Sequence, residues 1–210
     1  LIRNTEQQDA LTSRGITVTV GDATSEEDMK QCITEAKEHG EINGLLHCVG
    51  SIVIRPPHAL NKDAFEEVIT TNLTSAFLAL SIAGKAMLRQ GSGRMVFSSS
   101  VAGSLGLVNH EAIAAAKGGI EAMVRASAAT YARRGLRINA VAPGLTDTKM
   151  ASKILSSDAM RETAAQKIPT QRINKKEEAA TAMYWLLTDA PDNLTGQVLH
   201  LDGGMANVLA

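Results

Sequence analysis

Cysteine is nearly absent from this sequence, and the two present, Cys32 and Cys48, lack the close spacing of a metal knuckle or a redox pair. The first falls in a helical pattern and the second in an extended one, so both are expected to be buried packing thiols. A charge excess is missing as well: 21 basic and 22 acidic residues, mixed along the chain, leave a formal net charge of −1. Such a balance offers no electrostatic footprint to nucleic acid or to an anionic membrane. There is no charged-then-apolar leader, no internal repeat, no linker, and no uninterrupted apolar run approaching the ~20 residues that span a bilayer. With no metal site, nucleic-acid surface or membrane segment in view, the expected setting is the cytoplasm, and the expected partners are small molecules and further copies of the chain.

What the sequence does contain is enough apolar material for one sizeable core: 210 residues, 44% hydrophobic, with 17 glycines. A single domain spanning 1–210 is predicted. Short apolar runs alternate with longer amphipathic ones, the pattern of a parallel sheet covered by helices on both faces. Ile16 to Val20 reads as a strand, and Thr24-Ser25-Glu26-Glu27-Asp28 opens a helix that runs to His39-Gly40. Leu45 to Val49 has no polar alternation apart from His47, as expected of a central strand buried on both faces. A helical stretch from Lys62 to Gln90, a strand from Arg94 to Ser98, a helix from Glu111 to Arg134 and a strand from Leu136 to Val141 follow. Helical segments near Ala151 to Lys167 and Lys175 to Leu187 precede a last strand at Gln197 to Leu201. In open sheets of this kind ligands bind beyond the carboxyl ends of the strands. Those positions hold Asp22, Gly50, Ser98 to Ser100 and Pro143-Gly144.

Four ordered segments carry a resemblance: Thr71-Asn72-Leu73, Gly93 to Gly103 with its Ser98-Ser99-Ser100, Arg137 to Gly144, and Gly196 to Gly204. Together they resemble the short-chain dehydrogenase/reductase family, in particular its 3-oxoacyl-carrier-protein reductase-like members, over essentially the whole chain. The resemblance implies an α/β fold, a Rossmann-like doubly wound parallel sheet in three α/β/α layers. It implies hydride transfer between NADP or NAD and a carbonyl or secondary alcohol. By the same resemblance Ser100 would bond the substrate oxygen, Asn72 would hold a helix water that relays protons, and Lys117 would bond the nicotinamide ribose and supply positive charge. Asp22 would hold the adenine, Gly50 would let the backbone approach the adenosine ribose, Pro143-Gly144 would turn beside the nicotinamide, and Thr148 would meet its carboxamide. Arg3 stands where the family often opposes the adenosine 2′-phosphate, which tilts the expectation towards NADP. Read singly, Asp22 could cap a turn, Gly50 could end a strand and Lys117 could be a solvated helix lysine.

Two departures from the family pattern bear on activity. The family's tyrosine, one helical turn before the lysine, falls here on Ile113, which has no exchangeable proton. Either His110 or Glu111 could supply the proton instead, the imidazole being better matched to neutral pH, or Glu111 could merely complement the helix dipole while His110 sits in a surface loop. The family also opens with a strand, a glycine-rich phosphate loop and a helix, a unit of roughly 30 residues that is not seen before Leu1-Ile2-Arg3-Asn4, the expected tail of the second strand. His47-Cys48-Val49-Gly50 replaces the family's Asn-Asn-Ala-Gly, so only the glycine role carries over. A catalytically silent subunit or binding protein on the same scaffold is the rival expectation. The long helices resemble those that pair across the family's dimer axis, implying a homodimer or homotetramer. The lid from Ala151 to Arg172 has no aromatic residue to name a substrate.

Overall fold

The structure is a computed structural model, and it describes residues 1–209. In chain order the regular elements are α1 (Gln8–Thr12), α2 (Glu26–Glu38), β1 (Gly44–His47), α3 (Lys62–Ile69), α4 (Ser75–Gln90), β2 (Gly93–Ser98), α5 (Glu111–Tyr131), β3 (Leu136–Pro143), β4 (Thr146–Asp147), α6 (Asp158–Ala165), β5 (Asn174–Lys175), α7 (Lys176–Thr188) and β6 (Val198–Leu201). Four strands form one parallel sheet in the order β1-β2-β3-β6, and β4 pairs with β5 in a separate two-stranded parallel sheet.

Side-chain alternation along the two inner strands builds the layers. Met95 and Phe97 of β2, with Ile138 and Ala140 of β3, pack against Ala76, Leu80, Ala83 and Met87 of α4 and Ile120 and Val124 of α5. Val96 and Val141, one step out of phase, pack against Met183 and Leu186 of α7 on the opposite face. Helices therefore cover both faces, as the sequence pattern predicts. Each fully buried side chain of this size contributes about 1.5–3 kcal/mol of transfer free energy, which makes β2 and β3 the rigid platform for whatever their ends carry. The 29-residue stretch Lys62–Gln90 has the length and composition of a membrane-crossing helix, but it turns the apolar face of α4 onto the sheet.

Local signals set the helix starts. Ser25 is extended and its side chain accepts from the Asp28 N–H, with Glu26, Glu27 and Asp28 filling the first turn of α2. At α7 the Glu178 carboxylate accepts from the Lys175 N–H at 2.8 Å.

Four expectations are corrected. Ile16 to Val20 is not a strand: Val20 makes only an isolated parallel bridge with Ile2, and both Ile16 and Val20 are exposed, because no neighbouring strand supplies a ladder. The run Leu45 to Val49 is not a central strand buried on both faces. It yields β1, which pairs with β2 alone at the edge of the sheet and leaves Leu46 44% exposed. Neither cysteine is buried; Cys32 is half-buried and Cys48, one residue beyond β1, is exposed. Between Ala151 and Lys167 only Asp158–Ala165 is α-helical, since the cap that starts it, the Ser157 hydroxyl accepting from the Met160 N–H, lies late in the segment.

Candidate active site

The carboxyl end of β2 and one face of α5 form the centre of the site. Past Ser98 the chain enters a short 3-10 turn, Val101–Gly103, capped by Ser100, whose hydroxyl accepts from the Ala102 N–H at 3.2 Å. From α5, the Lys117 ammonium donates to the Ser98 carbonyl at 2.8 Å, and the Ser99 hydroxyl, whose one proton goes to Glu121 Oε1 at 2.8 Å, lies 3.3 Å from the Lys117 carbonyl. Strand end and helix are thus tied together two residues from Ser100. Lys117 is only 6% exposed, and burial pushes its pKa down to about 8. It is a lysine poised to lose its proton just above neutrality rather than a solvated surface cation. Among the described residues one of its three N–H donors is used, which leaves two for a ligand.

Asn72 occupies a π-helical turn, Thr70–Thr74, inserted between α3 and α4. Widened turns of this kind are frequent at functional positions. Its amide donates to the Val68 carbonyl at 2.9 Å and the Ser51 hydroxyl at 3.1 Å, and its oxygen accepts from the Ser51 N–H at 3.2 Å. Gly50 lies against this group: a Cβ there would come within 2.8 Å of Asn72 Oδ1 and 3.5 Å of Lys117 Nζ. The structure therefore brings Gly50, Asn72 and Lys117 to one place, beside the strand end that carries Ser100.

His47 faces the other way along β1, towards α4. Ser75 donates its only hydroxyl proton to the Thr71 carbonyl at 2.7 Å, so the His47 Nε2 atom, 3.0 Å from that hydroxyl, must be the protonated nitrogen. Nδ1 is then an acceptor, and among the described residues it is buried without a partner. Burial, and next the charge of Lys117, push the His47 pKa down to about 4, so the ring is neutral at ordinary pH.

A cavity of about 100 Å³ joins Gly50 to the N-terminal segment, with Leu1, Arg3, Gly21, Ala23 and Val49 among its walls. Arg3 and Asp22 meet there at 2.9 Å. The Asp22 carboxyl is held below the usual carboxylate range by the Thr24 N–H and hydroxyl, both at 2.8 Å, and by Arg3. Pro143 ends β3 opposite Leu201, and the Gly144 N–H donates to the Leu201 carbonyl at 2.9 Å. Thr148 is exposed on the segment that follows, before a 3-10 turn that its side chain does not cap.

His110 stands apart from this group. It is the residue before α5, its Nδ1 lies 2.7 Å from the Val108 carbonyl, and among the described residues no hydrogen bond joins it to Ser100 or Lys117. Glu111 is exposed on the first turn. Ile113 is 3% exposed and sealed into an apolar cluster with Val68, Ala102, Ala112 and Ala116. Reasoning from sequence missed Ser51, which follows Gly50, and Glu121, which follows Lys117 at helical spacing; position beside a site residue was the signal available for each. It also missed a cavity of about 450 Å³ between Leu105, the segment around Ile168 and Pro169, and the tail at Met205 and Val208.

Comparison with known proteins bears on this arrangement. A family model described as enoyl-(acyl carrier protein) reductase matches residues 3–206. The 2-(S)-hydroxypropyl-CoM dehydrogenase 3 of Xanthobacter autotrophicus is 35% identical over 97% of this chain and 83% of its own length. The 3-oxoacyl-[acyl-carrier-protein] reductase MabA of Mycobacterium tuberculosis is 32% identical over 88% of this chain and 74% of its own. Among solved structures, a putative gluconate dehydrogenase from Agrobacterium tumefaciens superposes with a TM-score of 0.89 at 29% identity, covering 96% of this chain and 81% of that one. A gluconate 5-dehydrogenase from Burkholderia cenocepacia, solved with NADP and tartrate, gives a TM-score of 0.90 at 24% identity over 99% of this chain and 84% of that one. The last of these speaks to the fold.

Proposed function

The chain belongs to the short-chain dehydrogenase/reductase family, and from that membership we propose that it transfers a hydride between NADP or NAD and the carbonyl or secondary alcohol of a small molecule. The observation that carries this reading is the buried Lys117, tied to the Ser98 carbonyl beside Ser100 and neighbouring Gly50 and Asn72. The nicotinamide cofactor, when bound, supplies or accepts the hydride. The residues fit such a group: two ammonium donors without a partner among the described residues suit a ribose diol, and Gly50 lines a cavity of about 100 Å³.

In this reading Ser100 orients the substrate oxygen, Lys117 holds the ribose and keeps a positive charge beside the reacting atoms, and Asn72 with Ser51 fixes the polar floor between them. Pro143, Gly144 and Thr148 bound the nicotinamide end, and Asp22 with Arg3 the adenosine end. Arg3 is 65% exposed in its pair with Asp22, and such a surface pair is worth about 0–1 kcal/mol, so a 2′-phosphate can recruit the guanidinium. Arg3→Ala is therefore expected to raise the Kd for NADP about ten-fold, the worth of one charge-assisted bond, while the Kd for NAD stays put. Equal weakening of both by titration calorimetry would remove the preference for NADP. The cytoplasm and a homodimer or homotetramer belong to the same reading, supported in part by Phe77 on α4, which is 55% exposed.

Ile113 favours a second reading. It sits four residues before Lys117 without a proton to give, and His110 turns its ring to the Val108 carbonyl. A subunit that binds the cofactor without turnover would look this way. Titration with NADP and NAD, followed by reduction of a carbonyl panel, separates the two on protein purified as its source expresses it. Binding with turnover supports the oxidoreductase, binding alone the silent subunit, and neither would overturn both.

A further inference from the structure

We propose that Glu121 is a positioning residue for the hydride-transfer site, its buried carboxylate clamping the turn that carries Ser100 onto the helix that carries Lys117; this rests on the reductase reading just given. Glu121 follows Lys117 by one helical turn, so the two side chains leave the same face of α5. It is 6% exposed. One carboxylate oxygen accepts from the Ser99 hydroxyl at 2.8 Å and from the Ser104 hydroxyl at 3.2 Å, and the other accepts from Ser104 at 3.0 Å. Ser99 and Ser104 bracket Ser100 and the short turn after it, so both ends of that turn are fastened to one side chain.

Among the described residues no lysine or arginine pairs with this carboxylate. A buried carboxyl group is costly unless its polar atoms are hydrogen-bonded, and filling space does not require one at this position. The two hydroxyls are what use it. The turn also lies against the helix backbone itself: a Cβ on Gly103 would come within 2.8 Å of Glu121 Oε1 and 3.1 Å of the Gly118 nitrogen. With the turn held at both ends and pressed on the helix, Glu121 adds to the bond from Lys117 to the Ser98 carbonyl in setting the separation between Ser100 and Lys117.

Substitutions at Glu121, kinetics, cofactor affinity and hydrogen exchange test this. In Glu121→Ala the kcat for carbonyl reduction is expected to fall about 10²-fold, the effect of misplacing a reacting group by a small distance, with the cofactor Kd unchanged. Glu121→Gln keeps an acceptor oxygen at the same reach and is expected to recover most of that loss. Adding Ser100→Ala to Glu121→Ala should cost little more, because the serine is already out of place. Hydrogen exchange of the backbone amides at Ala102 and Gly103 should accelerate in Glu121→Ala. An unchanged kcat, a fall in kcat matched by cofactor affinity, or full additivity with Ser100→Ala would overturn the proposal. Should Glu121→Ala fail to fold, Glu121→Gln and Ser104→Ala carry the same comparisons. If the unaltered protein reduces no carbonyl, the reductase reading fails by itself, and exchange decides the clamp: unaltered protection at Ala102 and Gly103 sinks it.

Discussion

Replacing Lys117 with methionine is expected to slow hydride transfer sharply and, at the same time, to remove a pH-dependent cost from the fold. Loss of a positioned donor at a reacting oxygen or its cofactor typically lowers kcat about 10²–10³-fold. The stability effect follows from burial, which lowers the lysine pKa from 10.5 to about 8. Below about pH 8 the group is charged in both the folded and the unfolded chain, and the folded state carries the full cost of the desolvated cation. Between there and the unfolded pKa the unfolded chain keeps a proton that the folded chain has released, so the stability of the unaltered protein rises with pH across that window. A displacement of this size corresponds to about 3 kcal/mol. Lys117→Met cannot titrate, and the lost bond to the Ser98 carbonyl is the same at every pH. The stability of the variant relative to the parent should therefore decline by about 3 kcal/mol between about pH 7 and about pH 10.5. Urea denaturation at the two pH values measures it, and an equal difference at both would show that the lysine is not desolvated.

Gly135→Ala is expected to be the most destabilising single methyl group in the chain. Gly135 has φ +83°, and a Cβ there would lie 1.9 Å from the Gly91 carbonyl oxygen and 2.9 Å from its carbon. The obstacle is backbone, which no rotamer change relieves. Gly91 is an informative control, since its φ is +81° with nothing near the Cβ position. Gly91→Ala should cost about 1 kcal/mol for the left-handed conformation, and Gly135→Ala more than about 3 kcal/mol once the clash is added. Both glycines precede the strands β2 and β3, whereas the candidate active site lies past their far ends, so whatever activity the folded protein has should survive per folded molecule. Equal losses in thermal unfolding would mean that the two turns do not touch.

Much of the site was legible before any coordinates. Ser100 and Asn72 stand in segments whose order and spacing carry the family resemblance, Lys117 follows from that resemblance, and Gly50 falls just after an apolar run, where ligands bind in open sheets. The relation of Lys117 to Ile113 is one helical turn, readable from numbers alone. Glu121 could have been found by stepping one turn further, but a glutamate on a long helix is usually a solvated one, and only its 6% exposure makes it remarkable in chemical terms. The Arg3–Asp22 pair joins two residues that were each assigned to the adenosine end separately; their contact across 19 residues was not foreseen.

The amino-acid order by itself determined the alternation of strand and helix, the helix opening at Thr24-Ser25 and its stop at His39-Gly40, because each depends on neighbours within a few residues of one another. Tertiary structure alone decided that β1 lies at an edge, that Ile16 to Val20 makes one bridge and no strand, and that Lys117 is dry enough to lose its proton near pH 8. Strand pairing and desolvation are properties of what lies alongside a residue in space. No local pattern carries that information, since the partner of Lys117 is a carbonyl 19 residues away on another element.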